Sequence, residues 1–169
     1  SECADIQYCI SWGTADRATS YEIRENSGSW TNLGNVTQQC YNKSSAGEYC
    51  YYVRAKNSYG TSSPSNPICV TVGAAPEAVT LMEPADNAEI DILQAVSWQV
   101  SAGATGYHLE VDDDSIFSGP IWINDLLLNQ SQYEFQGLPP NVTLYWRVRA
   151  GNLCGWGDWS DTWQFTISS

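Results

Sequence analysis

The two halves of this 169-residue chain repeat one pattern. CISWGTADRATSYEIRE at 9–25 aligns with AVSWQVSAGATGYHLEV at 95–111. GEYCYYVRAKNSYG at 47–60 aligns with NVTLYWRVRAGNLCG at 141–155, and the segments follow in the same order in both halves. A repeat of this kind predicts two copies of one structural unit.

The junction between the copies is GAAPEAV, where Gly, Ala and Pro are typical of a short connection. We therefore predict domain 1 at 1–73, a linker at 74–75 and domain 2 at 76–169.

Apolar and polar residues alternate with period two over short segments in both halves, as in Tyr8, Ile10 and Trp12. This alternation indicates half-buried β-strands. Eight Trp and ten Tyr, with no long run at helical spacing, favour the same conclusion. We predict an all-β protein of two tandem antiparallel β-sandwiches. The inward-facing sets include Tyr21 and Ile23; Tyr49, Tyr51 and Val53; Ile68, Val70 and Val72; Val96 and Trp98; and Leu144, Trp146 and Val148.

The net charge of −12, with seven Lys and Arg, excludes two classes of partner. Nucleic acid and anionic membrane surfaces would both repel such a chain. The charge favours solubility and mutual repulsion between copies. Proteins and glycans remain as candidate partners, and no apolar stretch is long enough to span a membrane.

Six cysteines without a C-x-x-C pair predict disulfides rather than a metal site. We therefore expect an extracellular or cell-surface location. The chain opens SECADIQ, without an initiator Met, and we expect a mature secreted chain or an excised fragment.

No cofactor, metal or catalytic residue is predicted, and we expect that the protein is not an enzyme. The single histidine, His108, falls on an outward position of a predicted strand, which favours a surface histidine over a general base. The acidic run Asp112–Asp114 favours a solvated turn over a calcium site. Four sequons predict glycosylation candidates near turns or strand ends, at Asn35, Asn42, Asn129 and Asn141.

Domain 2 contains PADNAEI before its first Trp strand, then GYHLEVDDDSIFSG, and finally LYWRVRAGN followed by GWGDWSDTWQFTI. Over nearly all of 80–167 these motifs resemble the fibronectin type III modules of secreted bacterial proteins. Domain 1 resembles the same immunoglobulin-like family more loosely, through ISW, SYEIRE and EYCYYVRAKNSYG. Its Tyr49 stands at the position of the family's corner tyrosine, where domain 2 has Leu144.

The chain departs from this family in two respects. The family usually has no disulfides, and domain 1 has almost nothing before Ile6, so it lacks a clear first strand. Domain 2 has such a strand around Glu77 to Leu81. The resemblance therefore implies an open sheet edge in domain 1, which could accept a strand from another molecule.

The sandwich topology implied by the resemblance suggests cysteine partners. Cys9 and Cys40 would lie on neighbouring strands of one sheet, and Cys50 and Cys69 on the last two strands of domain 1. Cys3 and Cys154 then remain. They could pair within one chain and lock the domains together, or they could join neighbouring molecules.

The stretch GWGDWS resembles the W-S-x-W-S box of cytokine receptors. Arg147 and Arg149 on the adjacent strand could stack on Trp156 and Trp159 through cation–π contacts and stiffen the outer face of domain 2.

These observations favour a non-catalytic extracellular structural or interaction protein. It would be a rigid two-domain rod that acts as a spacer, an adhesin segment or a fibre subunit, and it could self-associate into a linear assembly by strand complementation. The alternative is a carbohydrate-binding accessory region of a larger secreted enzyme, in which Trp30 or Trp122 stacks on sugar rings. A cytokine-receptor-like ectodomain is a third hypothesis.

Overall fold

The computed structural model describes residues 2–91 and 95–168. It confirms the all-β class, because strands and connections account for these residues and none of them is helical. The described part of the chain accordingly offers no helix with the length and apolarity needed to cross a membrane. The chain divides into two compact units, Ser1–Ala74 and Ala75–Ser169.

Unit 1 contains two sheets. One sheet has the strand order β1-β8-β6-β3-β4, with the short β7 paired to β6, and the other consists of β2 and β5. The strands are β1 (Glu2–Cys3), β2 (Tyr8–Ser11), β3 (Ser20–Glu25), β4 (Thr31–Gly34), β5 (Gln38–Tyr41), β6 (Gly47–Asn57), β7 (Gly60–Thr61) and β8 (Ile68–Gly73).

Unit 2 repeats this arrangement with one strand more. Its larger sheet has the order β10-β17-β15-β12-β13, with β16 paired to β15, and its smaller sheet has the order β14-β11-β9. The strands are β9 (Leu81–Glu83), β10 (Ala88–Ile90), β11 (Ala95–Trp98), β12 (Gly106–Asp112), β13 (Ile123–Leu128), β14 (Gln132–Glu134), β15 (Thr143–Asn152), β16 (Gly155–Trp156) and β17 (Trp163–Ile167).

Each unit buries the alternate apolar side chains of its strands in a core of its own. Trp98 and Trp146 are fully buried in unit 2, and Tyr51 is fully buried in unit 1. The hydroxyls of Tyr8 and Tyr51 lie 2.7 Å apart inside the unit 1 core. The prediction is wrong at Ile68, which is exposed at the beginning of β8.

Tyr49 has the hydrogen bond typical of a corner tyrosine. Its hydroxyl donates to the backbone carbonyl of Ser45, four residues upstream, at 3.0 Å. Leu144 at the corresponding place in unit 2 is fully buried in the core instead.

The two units differ at one sheet edge. Glu2–Cys3 forms β1, which pairs in parallel with β8, so the expectation of almost no structure before Ile6 is wrong in this detail. In unit 2, β11 pairs with β14 on one side and β9 on the other. Among the strands that the structure describes, β2 pairs only with β5.

Two disulfides join directly paired residues of unit 1. Cys9 and Cys40 are register partners on β2 and β5, and Cys50 and Cys69 are register partners on β6 and β8. Each disulfide therefore reinforces an existing antiparallel pairing.

Candidate functional site

The most elaborate side-chain arrangement lies on the outer face, by which we mean the side of the larger unit 2 sheet that points away from the core. Alternation along β12 places His108 and Glu110 on this face, and alternation along β15 places Arg147 and Arg149 beside them. The connection after β15 returns over the same face.

The two arginines alternate with three aromatic rings in a stack that we call the arginine ladder. The guanidinium carbon of Arg147 lies 4.2 Å from the ring centroid of Phe117 and 4.3 Å from that of Trp159. Arg149 lies 4.4 Å from Trp159 and 5.2 Å from Trp156. The structure thus brings together the four residues singled out in the sequence, and it adds Phe117.

The guanidinium group of each arginine also forms hydrogen bonds with a residue of β12. Two nitrogens of Arg147 donate to Glu110 Oε2, with Nη2 at 2.6 Å. Arg149 Nη2 lies 3.0 Å from His108 Nδ1. A guanidinium group has only hydrogen-bond donors, so Arg149 donates and Nδ1 accepts. The His108 proton therefore sits on Nε2, which faces Asn124 Oδ1.

The prediction of a surface histidine is wrong. His108 is 8% exposed, and the rings of Trp156 and Trp159 lie 5.8 and 5.0 Å from its own ring. Its strand position is outward, as alternation predicts, but the returning connection covers it. Strand periodicity carries no information about a cover formed by a distant segment.

Serines bring the returning connections onto the sheets. In unit 2, Val148 donates its backbone N–H to Ser160 Oγ at 3.0 Å, and Ser160 donates its own N–H to the Val148 carbonyl. Ser65 makes the same two hydrogen bonds with Val53 in unit 1. The sequence analysis missed this shared feature, although SSPS and GDWS occupy corresponding places after the repeated strand.

Unit 1 has a smaller stack of the same kind. The Trp30 ring lies 4.2 Å from the Arg54 guanidinium carbon and 5.0 Å from that of Arg24, which also lies 4.7 Å from the Tyr52 ring. The two arginines therefore compete with a sugar for contact with the Trp30 ring. Trp30 is therefore a poor candidate for stacking on carbohydrate.

The basic side chains are almost all engaged within the chain. Glu22, on the outer side of β3, accepts from Lys56 at 2.9 Å and from Arg54 at 2.6 Å. These hydrogen bonds hold the pKa of the Glu22 carboxyl below its usual value. Lys43 pairs with Glu25 at 2.6 Å. Arg17 also forms an ion pair, with the aspartate that precedes it in the sequence, but both of these side chains are exposed to solvent.

The net charge is concentrated in unit 2. This unit has thirteen of the nineteen Asp and Glu residues and two of the seven basic residues, a net charge of −11. Unit 1 has six acidic and five basic residues, a net charge of −1. Arg147 pairs with Glu110 and Arg149 with His108, so neither arginine of unit 2 pairs with one of its exposed carboxylates.

The acidic run that begins at the last residue of β12 is only partly solvated, which corrects the prediction. Asp112 is 2% exposed, and burial raises the pKa of its carboxyl. Asp114 accepts hydrogen bonds from Ser118 and from the backbone N–H of Ile116, which lower the pKa of its carboxyl.

One set of potential metal ligands converges within the described residues, at Glu48, Cys50 and Cys69. Both of these sulfurs form a disulfide, which removes them as thiolate ligands.

Comparison with known proteins identifies the fold. No protein-family model and no curated protein sequence matches the chain. The solved structure of the chicken CNTN1 FN1-FN3 domains superposes on 100% of this chain with a TM-score of 0.52 and 20% identity. Both units have the fibronectin type III fold. The chain spans 64% of the length of that structure. The fibronectin(III)-like modules of Clostridium thermocellum CbhA match 99% of this chain and 88% of that chain, with a TM-score of 0.42 and 16% identity.

The four sequon asparagines are all exposed in connections between strands of the type III units, at Asn35, Asn42, Asn129 and Asn141. This exposure is compatible with glycan attachment, and their glycosylation stays a prediction.

None of the described cysteines of the type III units is free. Cys3 ends β1, and Cys154 lies in the turn between β15 and β16. Their pairing with each other stays a prediction.

Proposed function

We propose that this chain is a non-catalytic extracellular interaction protein, in which two type III units form a rigid spacer, an adhesin segment or a fibre subunit. The fibre hypothesis rests on a difference between the smaller sheets of the two units. In unit 2, β9 covers β11, whereas the corresponding edge of β2 has no described partner. Unpaired backbone groups along a sheet edge favour the addition of a strand from another molecule.

The extracellular location is supported by the disulfides of unit 1. Cys9 and Cys69 are exposed, so a reducing compartment would open both bridges readily. A spacer or adhesin segment also needs resistance to unfolding outside the cell, and cross-links between paired strands supply it.

The rigid arrangement depends on the proposed Cys3–Cys154 bridge. Disulfide mapping of unreduced protein by mass spectrometry, at low and high protein concentration, tests it. A Cys3–Cys154 peptide from single chains would support a self-contained rod, and the same peptide from cross-linked chains would support a stapled fibre. A free thiol at Cys154 would contradict both forms.

Strand complementation of β2 has its own test. We would measure sedimentation of the chain over a wide concentration range, and compare it with a variant that has a copy of residues 77–83 and a flexible linker added before Ser1. The added strand should occupy the β2 edge in the same molecule and abolish the self-association of the original chain. Association that persists in this variant, or an original chain that stays monomeric, would rule out the fibre hypothesis.

The carbohydrate alternative now depends on Trp122, because two arginines already contact the Trp30 ring. Trp122 is 44% exposed and offers a ring to solvent. Quenching of tryptophan fluorescence by glucan or chitin oligosaccharides, lost in Trp122→Ala, would support this alternative over the fibre hypothesis.

A further inference from the structure

Among the described strands, β13 has no partner on its outer edge, because the strand order of the larger unit 2 sheet ends there. One side of this edge is mostly apolar. Leu126 is 67% exposed and Leu128 is 77% exposed, and both point to the outer face with Asn124. Trp122 lies directly before the strand at the same alternation. We call these residues the β13 stripe.

The β13 stripe is unusual for a sheet edge. Edge strands are normally protected by Lys, by other charged side chains or by Pro, since they otherwise pair with foreign strands. The one charge on the strand, Asp125, lies on the inward side, and none of the outward positions from Trp122 to Leu128 is charged or proline. The apolar surface continues onto the sheet, because the Trp156 ring lies over Gly151, which pairs with Gly106 beside Leu128.

A groove of 490 Å³ lies on the inner side of the same edge, between β13 and β14. Leu127 and Tyr133 line it together with Gln132 and Glu134, whose side chains are exposed. A strand added to β13 would place its side chains alternately over the β13 stripe and into this groove, whose lining includes the Glu134 carboxylate.

We propose that β13 takes up an extended segment of a partner protein in which apolar residues alternate with Lys or Arg. The apolar side chains would pack on the β13 stripe as cross-strand neighbours. The basic side chains would enter the groove beside Glu134, in a unit with a net charge of −11 whose two arginines are already occupied. This site is separate from the β2 edge and does not depend on the fibre hypothesis.

Charge favours this occupant over a second copy of the chain. Two copies that meet through β13 would bring two strongly acidic units together, which opposes association at low ionic strength. The two occupants therefore respond to salt in opposite directions. A basic strand binds more weakly as salt rises, whereas self-association through the β13 stripe becomes stronger.

Unit 1 offers an internal comparison. A groove of 530 Å³ lies between its edge strands β4 and β5, so the geometry recurs. However, Thr31 and Asn32 are the exposed residues of β4, and unit 1 has a net charge of only −1. The proposal therefore predicts binding to unit 2 alone.

The probe is a fluorescein-labelled Lys-Val-Lys-Val-Lys-Val-Lys peptide, whose binding to the whole chain is followed by fluorescence anisotropy. The site variant is Leu126→Ser with Leu128→Ser, and the matched control is Leu153→Ser, which alters a 99% exposed leucine outside the stripe. Two further peptides are needed. One has Glu in place of Lys, and the other is N-methylated at alternate residues to remove its backbone donors.

We expect the lysine peptide to bind the original chain and Leu153→Ser equally, and the double variant about tenfold or more weakly. The Glu peptide should not bind, the N-methylated peptide should lose affinity, and added salt should weaken binding. Equal affinity for the double variant, or full affinity of the N-methylated peptide, would overturn the proposal. No binding at all, or salt-enhanced dimers that the double variant abolishes, would overturn it too.

Discussion

Trp159→Ala removes the central rung of the arginine ladder and tests whether this stack stabilises unit 2. The Trp159 ring contacts both guanidinium groups, at 4.3 and 4.4 Å, and covers the buried His108 at 5.0 Å. The Arg147 side chain is 25% exposed, so its contact is partly desolvated.

The expected magnitude follows from these contacts. A partly desolvated cation–π contact contributes about 1 kcal/mol or more, and two are lost. The aromatic pair with His108 adds about 0.5–1 kcal/mol. The variant should therefore lose about 3 kcal/mol of unfolding free energy. Trp159→Phe keeps a ring between the arginines and should lose about 1 kcal/mol.

Hydrogen exchange followed by mass spectrometry on the whole chain is the appropriate assay, because it reports the two units separately. The loss should appear in the amides of β12 and β15, while protection in unit 1 stays unchanged. Trp122→Ala is the matched control, since a surface substitution usually changes stability by about 0.5 kcal/mol or less. A Trp159→Ala loss no larger than that control would refute a stabilising role for the ladder.

Three further predictions concern single side chains. Tyr49→Phe removes the hydrogen bond to the Ser45 carbonyl and should lower the stability of unit 1 by about 1 kcal/mol in urea unfolding. Glu22 has a lowered pKa in the folded protein, so its contribution to stability is present above pH 4.5 and is lost as the pH falls through its folded pKa. Glu22→Gln should therefore flatten this part of the acid unfolding curve, and an unchanged curve would contradict the assignment. Burial raises the pKa of Asp112, so its ionised form opposes folding at neutral pH. Asp112→Asn should raise the melting temperature at pH 7 but not below pH 3.8, and equal melting temperatures of the two proteins at pH 7 would contradict this sign.

The sequence was sufficient for the fold class and for most of the core. Period-two alternation is a local property, so it identified Trp98, Trp146 and Tyr51 as inward without any knowledge of their neighbours. The internal repeat indicated two copies of one unit for the same reason, because corresponding strands need corresponding residues. The corner position of Tyr49 followed from the family resemblance, and its hydrogen bond is present in the structure.

Alternation failed where another segment covers a strand. His108 and Asp112 occupy outward positions, yet both are buried. Only the folded chain reveals that the connection after β15 returns over His108. The contacts of Trp30 could not be predicted either. Its two arginines come from β3 and β6, and they reach the same ring only after these strands have paired.

The candidate docking edge was decided by tertiary structure alone. The segment INDLLL is typical of a strand, but its sequence does not indicate whether other strands pair with both of its edges. That depends on the strand order, in which β13 is terminal and leaves Leu126 and Leu128 in solvent. Local sequence determines which side chains share a face, because backbone geometry imposes that period. Pairing between distant strands determines which of those faces and edges remain open, because it arises from contacts that no short segment encodes.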